Sequence, residues 1–113
     1  MSGISTHVLD TSTGRPATGI LVALKRTFTQ GRSWDSIGSG ITDENGRISS
    51  VLDSSETLEA GTYQLIFHVG DYFETQDHFH PEIAIQFLVR DPAAHYHVPL
   101  LLSPYGYTTY RGS

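Results

Sequence analysis

The segment His95-Tyr96-His97-Val98-Pro99-Leu100-Leu101-Leu102-Ser103-Pro104-Tyr105-Gly106-Tyr107-Thr108-Thr109-Tyr110-Arg111-Gly112-Ser113 sets core-forming and reactive side chains next to each other. Successive side chains of an extended strand point to opposite faces. His95, His97 and Pro99 therefore share one face, and Tyr96, Val98 and Leu100 form an apolar surface on the other. Ser103-Pro104-Tyr105-Gly106 is a turn signal, because proline presets φ and glycine tolerates the positive φ that turns often need. The pattern predicts a returning strand over residues 107–110, followed by Arg111-Gly112-Ser113.

Outward from this hairpin the same two-residue period recurs. In 82–90, Ile83, Ile85, Phe87 and Val89 alternate with Ala84, Gln86 and Leu88. In 61–69, Tyr63, Leu65, Phe67 and Val69 alternate with Gln64, Ile66 and His68. A strand over 4–9 places Ile4, Thr6 and Val8 opposite Ser5, His7 and Leu9. The continuous apolar run in 19–26 predicts a central strand covered on both sides. Gly38 and Gly40 weaken a strand over 34–42 and suggest a bulge or an edge. Glu44-Asn45-Gly46-Arg47 carries Asn-Gly, a strong hairpin signal, and predicts a short strand over 47–52. Residues 53–60 read as a loop with some helical turn, and 72–77 as the one short helix. About seven or eight short strands with little helix describe an all-β sandwich.

At 113 residues the chain has room for one domain, 1–113. Its net charge of -5 argues against nucleic acid or an anionic membrane as main partner. The absence of cysteine excludes disulfides, thiolate catalysis and cysteine-ligated zinc. No apolar stretch approaches the ~20 residues of a membrane helix. Met1-Ser2-Gly3-Ile4 lacks the pattern of a signal peptide, so the expected location is the cytoplasm.

Three segments, His95 to Ser113, Ser5-Thr6-His7-Val8-Leu9-Asp10-Thr11 and Thr42-Asp43-Glu44-Asn45-Gly46-Arg47, resemble the transthyretin-like 5-hydroxyisourate hydrolases. Leu101-Leu102-Ser103-Pro104-Tyr105 also resembles transthyretin, which lacks the terminal Tyr-Arg-Gly-Ser found here at 110–113. The resemblance implies a transthyretin-like sandwich of two four-stranded sheets with one short helix. It further implies hydrolysis of a ring lactam in 5-hydroxyisourate, giving 2-oxo-4-hydroxy-4-carboxy-5-ureidoimidazoline in urate catabolism. The implied assembly is a homotetramer with sites at the dimer-dimer interface.

The same resemblance implies the site residues: His7, Arg47, His97 and Ser113 as catalytic, with His7, Arg47, Tyr110, Arg111, Gly112 and Ser113 binding substrate. The residue types suit the task. Imidazole has a neutral fraction near pH 7 that can take a proton from water. The planar guanidinium of Arg47 can make two hydrogen bonds to ring oxygens or nitrogens and stays charged. Which of His7 and His97 is the base stays open at this point, as does whether Ser113 acts through hydroxyl or carboxylate. The resemblance assigns the second histidine of His95-Tyr96-His97, which leaves His95 as its neighbour.

The rival is a small-ligand binding protein like transthyretin, without catalysis. A carrier does not need two imidazoles, a guanidinium and a polar tail in one place. No cofactor is expected. His78-x-His80 and His95-x-His97 each offer two metal ligands without a recognisable third, so no metal is expected either. An isolated histidine such as His68 is read as a surface or hydrogen-bonded residue.

Overall fold

The computed structural model describes residues 3–113. Met1 and Ser2, part of the stretch read above for a signal peptide, lie outside the described residues. Among the described residues nine strands and one helix follow in order: β1 (Gly3–Asp10), β2 (Arg15–Pro16), β3 (Leu21–Thr27), β4 (Asp35–Ile41), β5 (Arg47–Ile48), β6 (Gly61–Phe67), α1 (Val69–Phe73), β7 (Ile83–Val89), β8 (His95–Ser103) and β9 (Gly106–Thr109). One sheet runs β4-β3-β6-β7. The other runs β2-β1-β8-β9, with β5 also paired to β1. β2 meets Leu9 and Asp10, and β5 meets Thr6 and His7, so the two short strands share one edge of β1. That sheet is four strands wide but contains five strands, against the four expected, and the other layer has the expected four.

The core is the set of inward positions that alternation selects. Tyr63, Leu65 and Phe67 of β6 are fully buried, as are Ile83 and Val89 of β7 and Leu100 and Leu102 of β8, with at most 2% of their surface exposed. Tyr96 and Val98 join the same apolar cluster, which spans both sheets. With these side chains turned inward, His95 and His97 must emerge on the outer face of their sheet.

Several local expectations change. β3 is central, between β4 and β6, yet only one face is covered: Val22 and Leu24 are buried, whereas Leu21 is exposed on the outside of the sandwich. The helix begins at Val69 rather than Tyr72, because Val69 and Phe73 are its two buried anchors, one turn apart. Residues 53–60 form a loop, pinned by the buried Arg26, whose guanidinium donates to Thr57 O at 3.0 Å and pairs with Glu56 at 3.3 Å. Gly38 and Gly40 do mark an edge strand, and the β3-β4 register shifts at Leu24/Lys25.

The Asn-Gly turn first carries the chain across to the other sheet, where His7 of β1 pairs with Arg47 and Thr6 with Ile48. The strand expected over 47–52 is therefore only Arg47–Ile48, and the chain comes back to β4 at Leu52, which bridges Gly38. Ile48 is buried against β4, and a Cβ at Gly40 would lie 2.9 Å from its Cγ2. The small residue leaves room for the crossing, which explains a glycine in this strand better than strand weakness does.

Candidate active site

Each candidate side chain is placed by a local device. β1 and β8 run parallel, with Ser5 opposite His97 and His7 opposite Pro99. Thr6 Oγ1 donates to Val98 O at 2.6 Å from the buried face, tying the pair together beneath the imidazoles. On the other edge of β1, Arg47 follows a tight turn. Asp43 Oδ1 accepts from the amides of Asn45 and Arg47, both at 2.9 Å, and Gly46 takes a φ of 72°. A Cβ at Gly46 would lie 2.4 Å from Val8 O, so both the dihedral and the space demand glycine. The backbone hydrogen bonds hold the Asp43 carboxyl below the usual carboxylate range, with the Arg47 and His7 charges adding to the effect.

The tail enters from the opposite side. Gly112 bridges to His97, its amide donating to His97 O at 2.8 Å. A Cβ on Gly112 would lie 2.6 Å from His97 Cδ2 and 3.2 Å from Pro99 Cγ. Glycine is needed here for close approach to the ring. Upstream, the Arg111 guanidinium sits 4.5 Å from the Tyr96 ring centre and donates to His95 O at 3.4 Å. Tyr96 is in turn fixed by its hydroxyl, which accepts from Asp91 N and donates to Asp91 O, both at 3.0 Å.

These devices surround an open cavity of about 340 Å³ lined by Ser5, Thr6, Arg47, Ile48, Ser49, His95, His97 and Ser113. The volume suits a small planar ring compound. Of the residues expected from sequence, Arg47, His97 and Ser113 meet on this cavity. His7 stands beside it, half-buried and directly across the strand pair from Arg47. Tyr110 and Arg111 instead line a second, mainly apolar cavity of about 220 Å³ between β7, β8 and the tail.

Electrostatics favour a neutral imidazole at the centre. Burial, followed by the nearby charges of Arg47, His7 and His95, pushes His97 below the ordinary histidine pKa. Ser5 Oγ lies 2.8 Å from His97 Nδ1 and 2.8 Å from His95 Nε2. With Nδ1 so engaged, Nε2 is the nitrogen of His97 left for a ligand. Sequence reasoning did not single out Ser5. Alternation put it on the face of His7, but its contact with His97 spans 92 positions and depends on the parallel register.

The remaining histidines have local partners. His78 Nδ1 is 2.8 Å from Gln76 O, and its ring stacks on Phe73. His80 packs edge-on against Tyr107, and His68 Nδ1 lies 3.3 Å from Glu82. Among the described residues no group of three histidine, aspartate or glutamate side chains is placed to hold a metal ion. No helix among them is long and apolar enough to cross a membrane.

The architecture and sequence have close counterparts. The family model described as HIUase/Transthyretin family matches residues 4–112. A protein of Salmonella dublin named 5-hydroxyisourate hydrolase is 46% identical over 112 residues, covering 97% of this chain and 80% of the relative. The structure of Klebsiella pneumoniae 5-hydroxyisourate hydrolase superposes with a TM-score of 0.83 at 35% identity, covering 99% of this chain and all of the other. Transthyretin from Sparus aurata superposes with a TM-score of 0.86 at 28% identity, covering 99% of this chain and 97% of the other. With a match of this extent in sequence and in fold, the chain belongs to the HIUase/Transthyretin family.

Proposed function

We propose that the chain is a single catalytic domain that hydrolyses 5-hydroxyisourate in urate catabolism. The observation that carries this reading is the convergence of Arg47, His97 and Ser113 on one open cavity, with His7 alongside. The backbone alone does not distinguish hydrolase from carrier, because both kinds of structure superpose on it equally well. The side chains do. An imidazole kept neutral beside a guanidinium is suited to chemistry and adds nothing to passive carriage.

In the proposed mechanism, His97 Nε2 takes a proton from water as the water oxygen attacks the lactam carbonyl. General-base help of this kind contributes roughly 10²- to 10⁴-fold. Arg47 donates to the carbonyl oxygen as negative charge grows there, a role whose loss costs about 10²- to 10³-fold in other acyl-transfer sites. His7, across the strand pair from Arg47, orients the water or the ring. The hydroxyl of Ser113 fixes the ring edge, which makes the attack effectively intramolecular. The proton taken from water is returned to the leaving ring nitrogen, so the enzyme ends unchanged.

Tyr110, Arg111 and Gly112 serve this reaction through the tail. Arg111 anchors it on Tyr96 and Gly112 lays it against His97, so Ser113 is held at the cavity. The site is open on one side, and exposed Tyr105, Tyr107 and Tyr110 lie on and after the β8-β9 hairpin. These features support a homotetramer in which facing dimers close the sites between them, acting on a small-molecule substrate, and the location we propose for it is the cytoplasm. A second copy would supply the walls that one small sandwich lacks.

The test is loss of ultraviolet absorbance by fresh 5-hydroxyisourate, generated by urate oxidation, with and without the protein. Decay faster than the spontaneous rate, in proportion to protein concentration, is the expected result. Unchanged decay together with saturable binding of an aromatic ligand would establish the carrier instead.

A further inference from the structure

Ser5 joins two imidazoles through one oxygen. Its Oγ is 2.8 Å from both His95 Nε2 and His97 Nδ1. A hydroxyl has one proton, so it donates to one ring and must accept from the other. In the first arrangement His97 Nδ1–H donates to Ser5 and Ser5 donates to His95, leaving a lone pair on His97 Nε2. In the second, His95 Nε2–H donates to Ser5 and Ser5 donates to His97 Nδ1, so His97 carries its hydrogen on Nε2. The first is a base facing the cavity and the second is an acid.

We propose that Ser5 and His95 form a proton relay that switches His97 from base to acid during turnover and carries the positive charge out to His95. The proposal rests on the hydrolase reading above. As water attacks, its proton bonds to His97 Nε2. The Nδ1 proton of His97 passes to Ser5 Oγ while the Ser5 proton passes to His95 Nε2. His97 is then neutral with a hydrogen on Nε2, and His95 is the imidazolium. As the ring C–N bond breaks, the Nε2 proton goes to the leaving nitrogen while His95 Nε2 returns a proton to Ser5 and Ser5 passes its own to His97 Nδ1. The transfers are concerted, so His97 never becomes an anion, and the starting arrangement is restored with no net gain or loss of protons.

The surroundings give the relay a direction. His97 is half-buried, whereas His95 is exposed. His7 from β1 and Arg47 from β5 place charge near His97, which makes an imidazolium there costly. On the tail, Arg111 donates to the His95 backbone carbonyl, and Ser113 lines the same cavity. Its own chain covers His95 less than His97, so holding the charge there costs less desolvation. Ser5 and His95 are positioning residues in this scheme, acting on substrate through His97.

The experiment compares kcat and KM for wild type, Ser5→Ala and His95→Ala, with and without added imidazole. Both variants should lose at least about tenfold in kcat, equivalent to roughly 1.4 kcal/mol of barrier, with KM changed by less than about twofold. Because His95 lines the cavity that substrate must enter, its replacement leaves a gap that free imidazole can reach. Added imidazole should restore kcat saturably in His95→Ala and not in Ser5→Ala, where the connecting hydroxyl is missing. Raised KM at unchanged kcat, or a His95→Ala loss that imidazole does not relieve, would reduce both residues to packing partners and overturn the relay. An active wild type with fully active variants overturns the relay alone. A wild type that does not accelerate decay overturns the hydrolase reading and the relay together.

Discussion

Gly112 and His97 are joined backbone to backbone, with the Gly112 amide donating to His97 O at 2.8 Å and no room between them for a methyl group. The tail is thereby built against the imidazole. Position 112 lies directly against the ring, although the residue itself has no side chain.

Gly112→Ala should accordingly act on the site rather than on the core. Its Cβ would fall 2.6 Å from His97 Cδ2, so either the ring or the tail must move. We expect kcat/KM to fall by at least about tenfold, ~1.4 kcal/mol, while the unfolding midpoint changes little because the tail lies outside the apolar cluster. Steady-state kinetics paired with thermal unfolding checks both halves. An unchanged rate would show that the tail does not position His97.

Burial and Arg47 together bear on the pH response. Burial disfavours a positive charge on His97 most, and the Arg47 cation acts in the same direction, so the imidazole stays neutral to lower pH than an ordinary histidine. The acid limb of kcat/KM should therefore lie below about 6.5. Removing the cation in Arg47→Gln removes a lowering influence, so the limb of the residual activity should move to higher pH. Arg47→Lys keeps the charge and should keep the limb, but loses rate because an ammonium lacks the planar fork. Coincident limbs for Arg47→Gln and wild type would show that Arg47 does not tune the base.

The face beneath the site can be tested through stability. Leu100 is fully buried on the opposite face of β8 from the histidines. Leu100→Ala should cost about 2–5 kcal/mol, the range for large-to-small changes in a packed core. Urea unfolding measures it, with the midpoint falling and the slope unchanged. A loss below about 0.5 kcal/mol would mean that β8 is not packed as described.

Much of this was legible because alternation along β6, β7 and β8 assigns core and site faces from residue type alone. The division of Tyr96, Val98 and Leu100 from His95 and His97 is one example. The partners of those faces were less legible. Asn45-Gly46 announces a turn, but whether Arg47 returns to β4 or crosses to β1 depends on Ile48 filling the space that Gly40 leaves. The helix was displaced because Val69 continues the strand alternation in sequence while serving as a buried helix anchor in three dimensions. Ser5 was missed for a related reason. Its meaning comes from lying opposite His97 in a parallel pair, and no local pattern encodes that register.

The central claim is that this cavity hydrolyses 5-hydroxyisourate, and the most direct measurement is the protein-dependent rate of its ultraviolet decay for wild type beside His97→Asn. Asparagine at 97 removes the proposed base, while the apolar face of β8 is untouched. The account predicts decay well above the spontaneous rate for wild type, and a kcat/KM lower by at least about 10²-fold for the folded variant. Equal rates for the two proteins, or a wild-type rate no faster than spontaneous decay, would contradict it.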